Sequence, residues 1–248
     1  MEILYNHSLL QFNTFGIEAH AREFIELGTV DELRHLVGQH KSGSKQLMFL
    51  GGGSNILFTG DYQGTVIKIS TSGKEIVGED PNEVVIKVAA GENWDGWVEY
   101  CVNNNWYGLE NLSGIPGQVG SSPIQNIGAY GTELKDHFES LDGINLCTGE
   151  PFTYDTERCQ FGYRDSIFKR ALKGRVVITH VAFRLTKKPV FSLTYQGLKQ
   201  KFEGIPQGEL SLKMIRETVL EIRASKLPDP KLVGNAGSFF KNPVVTAR

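Results

Sequence analysis

Gly51-Gly52-Gly53-Ser54-Asn55 follows an apolar run and can present consecutive backbone N–H groups to an anion, because glycines allow close approach and the φ values that a nest requires. No Gly-Lys-Ser/Thr ending follows it. The apolar residues after it read as a strand, not as the helix that a dinucleotide G-x-G-x-x-G needs, so neither phosphate fingerprint is present. A tight turn is the other reading of such a run. A second stretch, Gly114-Ile115-Pro116-Gly117-Gln118-Val119-Gly120-Ser121-Ser122-Pro123, adds further amides and hydroxyls. Gln125, Asn126 and Tyr130 then supply side chains able to hydrogen-bond a polar ring edge. Two anion-friendly loops together point to a ligand with a pyrophosphate and a flat heteroaromatic end. Glycine makes up 28 of the 248 residues, above the roughly 7% of average usage, and the surplus clusters in these stretches.

Phe161-Gly162-Tyr163-Arg164-Asp165-Ser166 sets a permanent cation beside an aromatic ring and a carboxylate. That combination suits holding a substrate carboxylate, or stabilising negative charge as it develops; a surface Arg164 paired with Asp165 is the alternative. Near the C-terminus, Lys226-Leu-Pro-Asp-Pro-Lys231 leads into Gly234-Asn-Ala-Gly-Ser238. Ser238 could offer its hydroxyl as a proton donor or be a turn residue; no Gly-x-Ser-x-Gly elbow surrounds it. His7, His20, His35, His40, His137 and His180 are scattered without metal-ligand spacing, so no metal site is expected. Cys101, Cys147 and Cys159 form no C-x-x-C pair; Cys101 is expected in the core and the other two at strand edges. A reducing, cytoplasmic setting fits them.

These residues need a scaffold. Thr29 and Glu32 have capping-box spacing, and Leu33, Leu36 and Val37 mark one face of a helix. Lys45 to Phe58 reads as strand, glycine turn, strand. Val66 to Ile69, Val84 to Ala90, Ser140 to Leu146 and Arg175 to Leu185 read as further strands. Trp94, Trp97, Val98, Cys101 and Val102 repeat at helical spacing, and so do Leu212, Ile215, Val219 and Ile222 before Pro228. Gly108 to Leu134 fits neither period, and a structureless stretch of that length inside a domain is usually functional. Strands with few helices indicate α+β. The 26 Lys+Arg against 28 Asp+Glu give a net charge of −2, which argues against a nucleic-acid partner. No apolar run approaches the roughly 20 residues of a membrane span.

The segments NTFG (Asn13 to Gly16), LGGGSN (Leu50 to Asn55), GLENLSGIPGQVGSSPIQNIGAYG (Gly108 to Gly131), FGYRDSIFK (Phe161 to Lys169) and KLPDPKLVGNAGSFFKNP (Lys226 to Pro243) occur in an order that covers nearly the whole chain. In this the chain resembles the UDP-N-acetylenolpyruvoylglucosamine reductases, FAD enzymes of peptidoglycan precursor synthesis. The resemblance implies an FAD-binding fold of the vanillyl-alcohol-oxidase (PCMH) type, made of two subdomains over residues 1–72 and 73–205. Residues 206–248 would begin a third, substrate-binding α+β domain. It implies NADPH as hydride donor and UDP-N-acetylglucosamine enolpyruvate as substrate, with hydride arriving at C3 and a proton at C2 to give a lactyl ether.

By the same resemblance, Gly51, Gly52, Gly53, Ser54 and Asn55, with Pro116, Gly117, Gly120, Ser121 and Ser122, hold the FAD pyrophosphate, and Gln125, Asn126, Gly128 and Tyr130 continue around the flavin. Arg164 would neutralise the substrate carboxylate and Ser238 would be the general acid. Tyr163 would line the site, Tyr195 would cover the substrate diphosphate, and Lys226 and Asn242 would contact it. Family members continue beyond the Ser-Phe-Phe-Lys-Asn-Pro motif and carry a late glutamate that no residue here matches, so a chain truncated at Arg248 is expected. A monomer is expected. A fragment that holds FAD or a nucleotide sugar with little turnover is the alternative reading.

Overall fold

The β-branched runs pair into two sheets, with the glycine-rich stretches at the ends of their strands. The structure is a computed structural model, and it describes residues 1–39, 46–237, 241–243 and 245. His40, Lys45 and Ser238, all considered above, lie outside the described residues.

The first sheet is built from β1 (Leu4–Ser8), β2 (His20–Leu27), β3 (Leu47–Leu50) and β4 (Tyr62–Ile69), in the order β1-β2-β4-β3. β1 runs antiparallel to β2, while β2 and β3 both run parallel to β4. The connection from β2 to β3 contains helix α1 (Val30–Gln39), which starts as its sequence dictates. Thr29 Oγ1 accepts from the Glu32 amide at 3.1 Å, the Glu32 carboxylate accepts from the Thr29 amide at 3.1 Å, and Leu33, Leu36 and Val37 are buried. The expected second strand after the glycine run is absent: residues 56–58 are irregular. The segment pairs with no strand, β4 having β2 on one side and β3 on the other, and it contributes Phe58 to the core beside Phe24, Leu50 and Val66 instead.

The second sheet is antiparallel, in the order β10-β9-β11-β6-β5, from β5 (Lys74–Glu79), β6 (Glu83–Ala89), β9 (Phe138–Asn145), β10 (Pro151–Asp155) and β11 (Val176–Thr186). Helix α2 (Trp94–Asn103) shares one core with it, and Trp97 packs on Phe183 with ring centroids 5.5 Å apart. The long irregular stretch hangs on this core: Trp94 Nε1 donates to the Leu112 carbonyl at 2.9 Å. That stretch proceeds as short 3-10 turns and a two-residue-strand hairpin, β7 (Gly128–Ala129) with β8 (Thr132–Glu133). Cys101 is buried on α2 as expected. Cys159 is not at a strand edge: it ends the short helix α3 (Thr156–Cys159) and is fully buried, so that desolvation pushes its thiol up to about 12. Cys147 is exposed just after β9. No helix among the described residues is long and apolar enough to cross a membrane.

Helices α4 (Gln196–Lys201) and α5 (Leu212–Lys226) form a smaller cluster through Leu198, Phe202, Ile215 and Val219. Arg216 sets α5 against α2 through Asp95 and, at 3.7 Å, Glu99. Arg216, 8% exposed, donates in a bidentate manner to Asp95 at 2.6 and 2.9 Å, and the Asp95 carboxylate also accepts from the Gly114 amide at 2.6 Å. Burial works to raise the Asp95 pKa, but the Arg216 guanidinium and the Gly114 amide outweigh it and hold the carboxyl below its usual value. Asp95→Asn leaves the buried Arg216 without its main partner, and we expect a loss of about 3 kcal/mol of stability in thermal or denaturant unfolding. Because the folded value is depressed, the contribution of Asp95 is present at neutral pH and disappears as pH falls through that folded value. The variant's stability should therefore depend less on pH in the acid range than the wild type's.

Candidate active site

The two glycine loops meet face to face. A Cβ placed on Gly52 would lie 2.8 Å from the Gly117 Cα, so the approach depends on Gly52 lacking a side chain, and Gly117 stands at φ +125°, which an L side chain rarely adopts. Polar contacts close the seam: Ser54 Oγ donates to the Pro116 carbonyl at 3.2 Å, and Asn55 Nδ2 to Gln125 Oε1 at 3.4 Å. Gln118 ties the seam to both sheets. Its amide nitrogen donates to the carbonyl of Ile69, at the end of β4, and to that of Gly91, just beyond β6, at 3.1 and 2.8 Å. Its Oε1 is buried with no hydrogen-bond partner among the described residues. Sequence reasoning passed over this glutamine; its position inside the second glycine stretch was the available signal.

A cavity opens on each side of the seam. The first, about 350 Å³, is lined by Ser54, Asn55, Pro116, Gln125, Gly128, Tyr130, Arg164, Tyr195 and Lys226 among the residues expected to function. Arg223, Ala236 and Gly237 line it too. The second, about 570 Å³, is more apolar and includes Gly51, Gly120 and Ser121 with Gln118, Phe49, Leu146 and Val177. A close-packed glycine seam that offers backbone N–H groups between a polar and an apolar cavity fits a dinucleotide whose charged middle lies at the seam.

Two of the expected cofactor residues turn inward. Ser122 is buried and donates to the Val119 carbonyl at 2.6 Å. Asn126 is buried, with φ +44°, and its side chain bonds Glu133, the Gly162 carbonyl and the Lys135 amide. These side chains shape the loop rather than line either cavity.

Arg164 does not pair with Asp165, which bonds Arg170 at 3.3 Å instead. A tight turn, closed by backbone bonds between Gly162 and Asp165 at 2.9 and 3.2 Å, places Arg164 at φ +52°. Its guanidinium donates to the Gly128 carbonyl and, at 3.4 Å, to that of Asn126; Glu133 lies 4.0 Å away. The arginine is thus anchored by the β7 hairpin with donors left for the cavity. Tyr163 is 41% exposed and lies outside the cavity lining, with Arg164 and Lys241 each over its ring. Asn242 is exposed and likewise does not line it.

At the other end of the cavity, Lys226 Nζ donates to the Tyr195 hydroxyl at 3.0 Å, and the Tyr195 ring meets Tyr130 edge-on at 5.0 Å. Burial raises the Tyr130 pKa against the opposing pull of Arg223 and Lys226. Arg223, one turn before Lys226 on α5, escaped the sequence reading because its spacing matches no motif. Asn111, fully buried, holds this end together: its Nδ2 donates to the carbonyls of Tyr130 and Ser192 at 2.9 and 2.8 Å. Asn111→Ala should cost about 2 kcal/mol by leaving both carbonyls without their donor, measured as a lowered midpoint in denaturant unfolding.

A family model described as an FAD binding domain matches residues 21–154. A solved structure of UDP-N-acetylenolpyruvylglucosamine reductase from Thermus caldophilus superposes with a TM-score of 0.70 at 24% identity, covering 98% of this chain and 74% of that one. A solvent-stable cholesterol oxidase gives 0.54 at 13% identity, covering 74% of this chain and 38% of that one. The mixed sheets and the model match define an FAD-binding protein of the α+β, PCMH-like fold class. Curated relatives narrow this. UDP-N-acetylenolpyruvoylglucosamine reductase of Bacteroides fragilis (strain YCH46) is 47% identical over 239 residues, 96% of this chain and 71% of that protein. The enzyme of the same name from Flavobacterium johnsoniae is 47% identical over 246 residues, 99% and 72% respectively. The chain belongs to the UDP-N-acetylenolpyruvoylglucosamine reductase family.

Proposed function

We propose that this chain reduces UDP-N-acetylglucosamine enolpyruvate to UDP-N-acetylmuramate, with NADPH as electron source, as a step in peptidoglycan precursor synthesis. The observation that carries the reading is the placement of Arg164 in one cavity with the seam residues Ser54, Asn55 and Pro116 on one side and Tyr195 with Lys226 on another. A cation for a carboxylate, a polar cofactor seam and a tyrosine–lysine pair for a diphosphate are the parts this reaction requires.

Bound FAD would supply the two-electron carrier between NADPH and the substrate. Gly51 to Asn55 and Pro116 to Ser121 would hold its pyrophosphate, with Gln125, Gly128 and Tyr130 beside the flavin; Ser122 and Asn126 support that loop from within. Arg164 holds the substrate carboxylate and offsets the negative charge that grows on it as the enolate forms. Ser238 follows Gly237, which lines the cavity, and delivers the proton to C2. Tyr195, Lys226 and Asn242 hold the diphosphate, and Tyr163 bounds the site from outside. Arg223 adds a further cation to that end. Of the division into 1–72, 73–205 and 206–248, the first boundary is supported by the first sheet ending at Ile69 and the second beginning at Lys74; α5 brings Lys226 to the site.

The test is anaerobic and sequential. Protein reconstituted with FAD should be bleached by NADPH and should recover its oxidised spectrum when the enolpyruvyl UDP-sugar is added, with the lactyl ether identified by mass. Flavin that is reduced but not reoxidised by this substrate would sink the reading.

A further inference from the structure

The NTFG segment is used by none of the roles above, yet it lies between two parts of the site. Thr14 donates its amide to the Gly53 carbonyl at 3.1 Å, and its own carbonyl accepts from the Asn235 amide at 2.9 Å. Glycines make both approaches close. A Cβ on Gly53, which has φ +64°, would overlap the Phe12 carbonyl and lie 2.7 Å from its carbon; a Cβ on Gly234 would overlap the Phe15 carbonyl and lie 2.5 Å from its carbon. The segment is also stiff. Asn13, 7% exposed, donates to the carbonyls of Leu9 and Ile17 at 2.8 and 3.0 Å and accepts from the Ile17 amide at 3.0 Å. On the far side, Asn235 braces its own loop, donating to the carbonyls of Pro228 and Val233 and accepting from the Gly237 amide at 3.0 Å.

We propose that Asn13–Gly16 is a positioning strut that sets the Ala236–Gly237 wall of the cavity relative to the GGGSN cofactor loop. A segment fixed internally by Asn13 and gripped by glycines on both flanks transmits displacement of one flank to the other, because neither contact has slack. Gly234 touches neither cavity, so its effect on chemistry runs through Asn235, Ala236 and Gly237. That last step rests on the proposed function, in which the residue after Gly237 is the proton donor.

The test has two arms. In the first, amide hydrogen exchange is followed at Thr14 and Asn235 in the wild type, Gly53→Ala and Gly234→Ala. Each substitution should speed exchange by about tenfold at the amide on the opposite flank, the size expected when one backbone hydrogen bond loosens. This arm needs neither FAD nor substrate, so unchanged exchange across the strut overturns the proposal without bearing on the reaction. In the second arm, Gly234→Ala is assayed at full flavin occupancy, so that any loss of FAD affinity is removed from the readout. Its kcat for enolpyruvyl reduction should fall by about tenfold or more, with KM changed little. Wild-type kcat in that variant at full flavin occupancy overturns the proposal, and so does a fall in kcat with unchanged exchange at the Thr14 amide, since a merely local role would leave the far flank untouched.

Discussion

Arg164→Gly is expected to lower turnover of the enolpyruvyl substrate by about 10² to 10³-fold, the range found when one preorganised charge-stabilising donor is removed. Glycine is the informative replacement because of the backbone. Arg164 stands at φ +52°, a region that costs an L-residue about 1–2 kcal/mol and glycine almost nothing, so deletion of the guanidinium relieves local strain. The bonds to the Gly128 and Asn126 carbonyls are lost at the same time, but the turn itself is closed by Gly162 and Asp165 and should persist. Stability near that of the wild type with collapsed kcat is the expected outcome, from unfolding and steady-state assays on the same sample. Arg164→Lys should recover only part of the rate, because an ammonium keeps the charge but cannot make the fork that reaches both a carbonyl and a carboxylate. Turnover of Arg164→Gly within a few fold of the wild type would remove Arg164 from the chemistry.

The second large effect concerns the cofactor. Gly52→Val should abolish FAD retention, leaving a colourless protein after gel filtration that regains no flavin absorption on titration. The added Cβ would lie 2.8 Å from the Gly117 Cα, a separation that non-bonded carbons do not tolerate, and the opposing atom belongs to backbone and cannot rotate away. The seam must open to admit the side chain. Opening it separates Ser54 from the Pro116 carbonyl and disturbs Gln118, whose amide holds the ends of β4 and β6 together. The damage is local, because β4 and β6 remain paired within their own sheets. A lowered FAD affinity with the global unfolding midpoint shifted by only a few degrees is the signature that separates a broken seam from a broken fold; full FAD occupancy would show that the seam is not where the cofactor is held.

Several residues of the candidate site stand out in the sequence before any fold is known. The glycine loops and Arg164 carry their chemistry in short segments, and short segments are legible because their preferences are local: a glycine run is permissive wherever it lies, and the Thr29–Glu32 cap forms between residues three apart. Tyr195 and Lys226, 31 residues apart, were given their roles only through the family resemblance. The faces of α1, α2 and α5 were legible for the same reason, since helical period is a local property. Strands were readable where they are buried and β-branched, as in β4, β6 and β11. The edge strand β5, whose residues are mostly exposed and show no alternation, was not readable.

Tertiary contacts decided the rest. That residues 56–58 are irregular and send Phe58 into a core with Phe24 and Val66 depends on partners that no window around Ile56 contains. Whether Arg164 would be spent on Asp165 depended on Arg170 taking the carboxylate and the β7 hairpin offering its carbonyls. Ser122 and Asn126 share their polarity with the residues that line the cavities, and only packing turned them inward. Gln118, Asn111 and Arg223 matter through partners far away in the chain, and so does Thr14, which bridges Gly53 and Asn235. The sequence by itself determined the kinds of group available and the local turns that carry them. Which groups face a ligand and which hold the walls in place was decided by the three-dimensional packing, because a hydrogen bond is made by proximity in space, and proximity between distant residues exists only once the chain has folded.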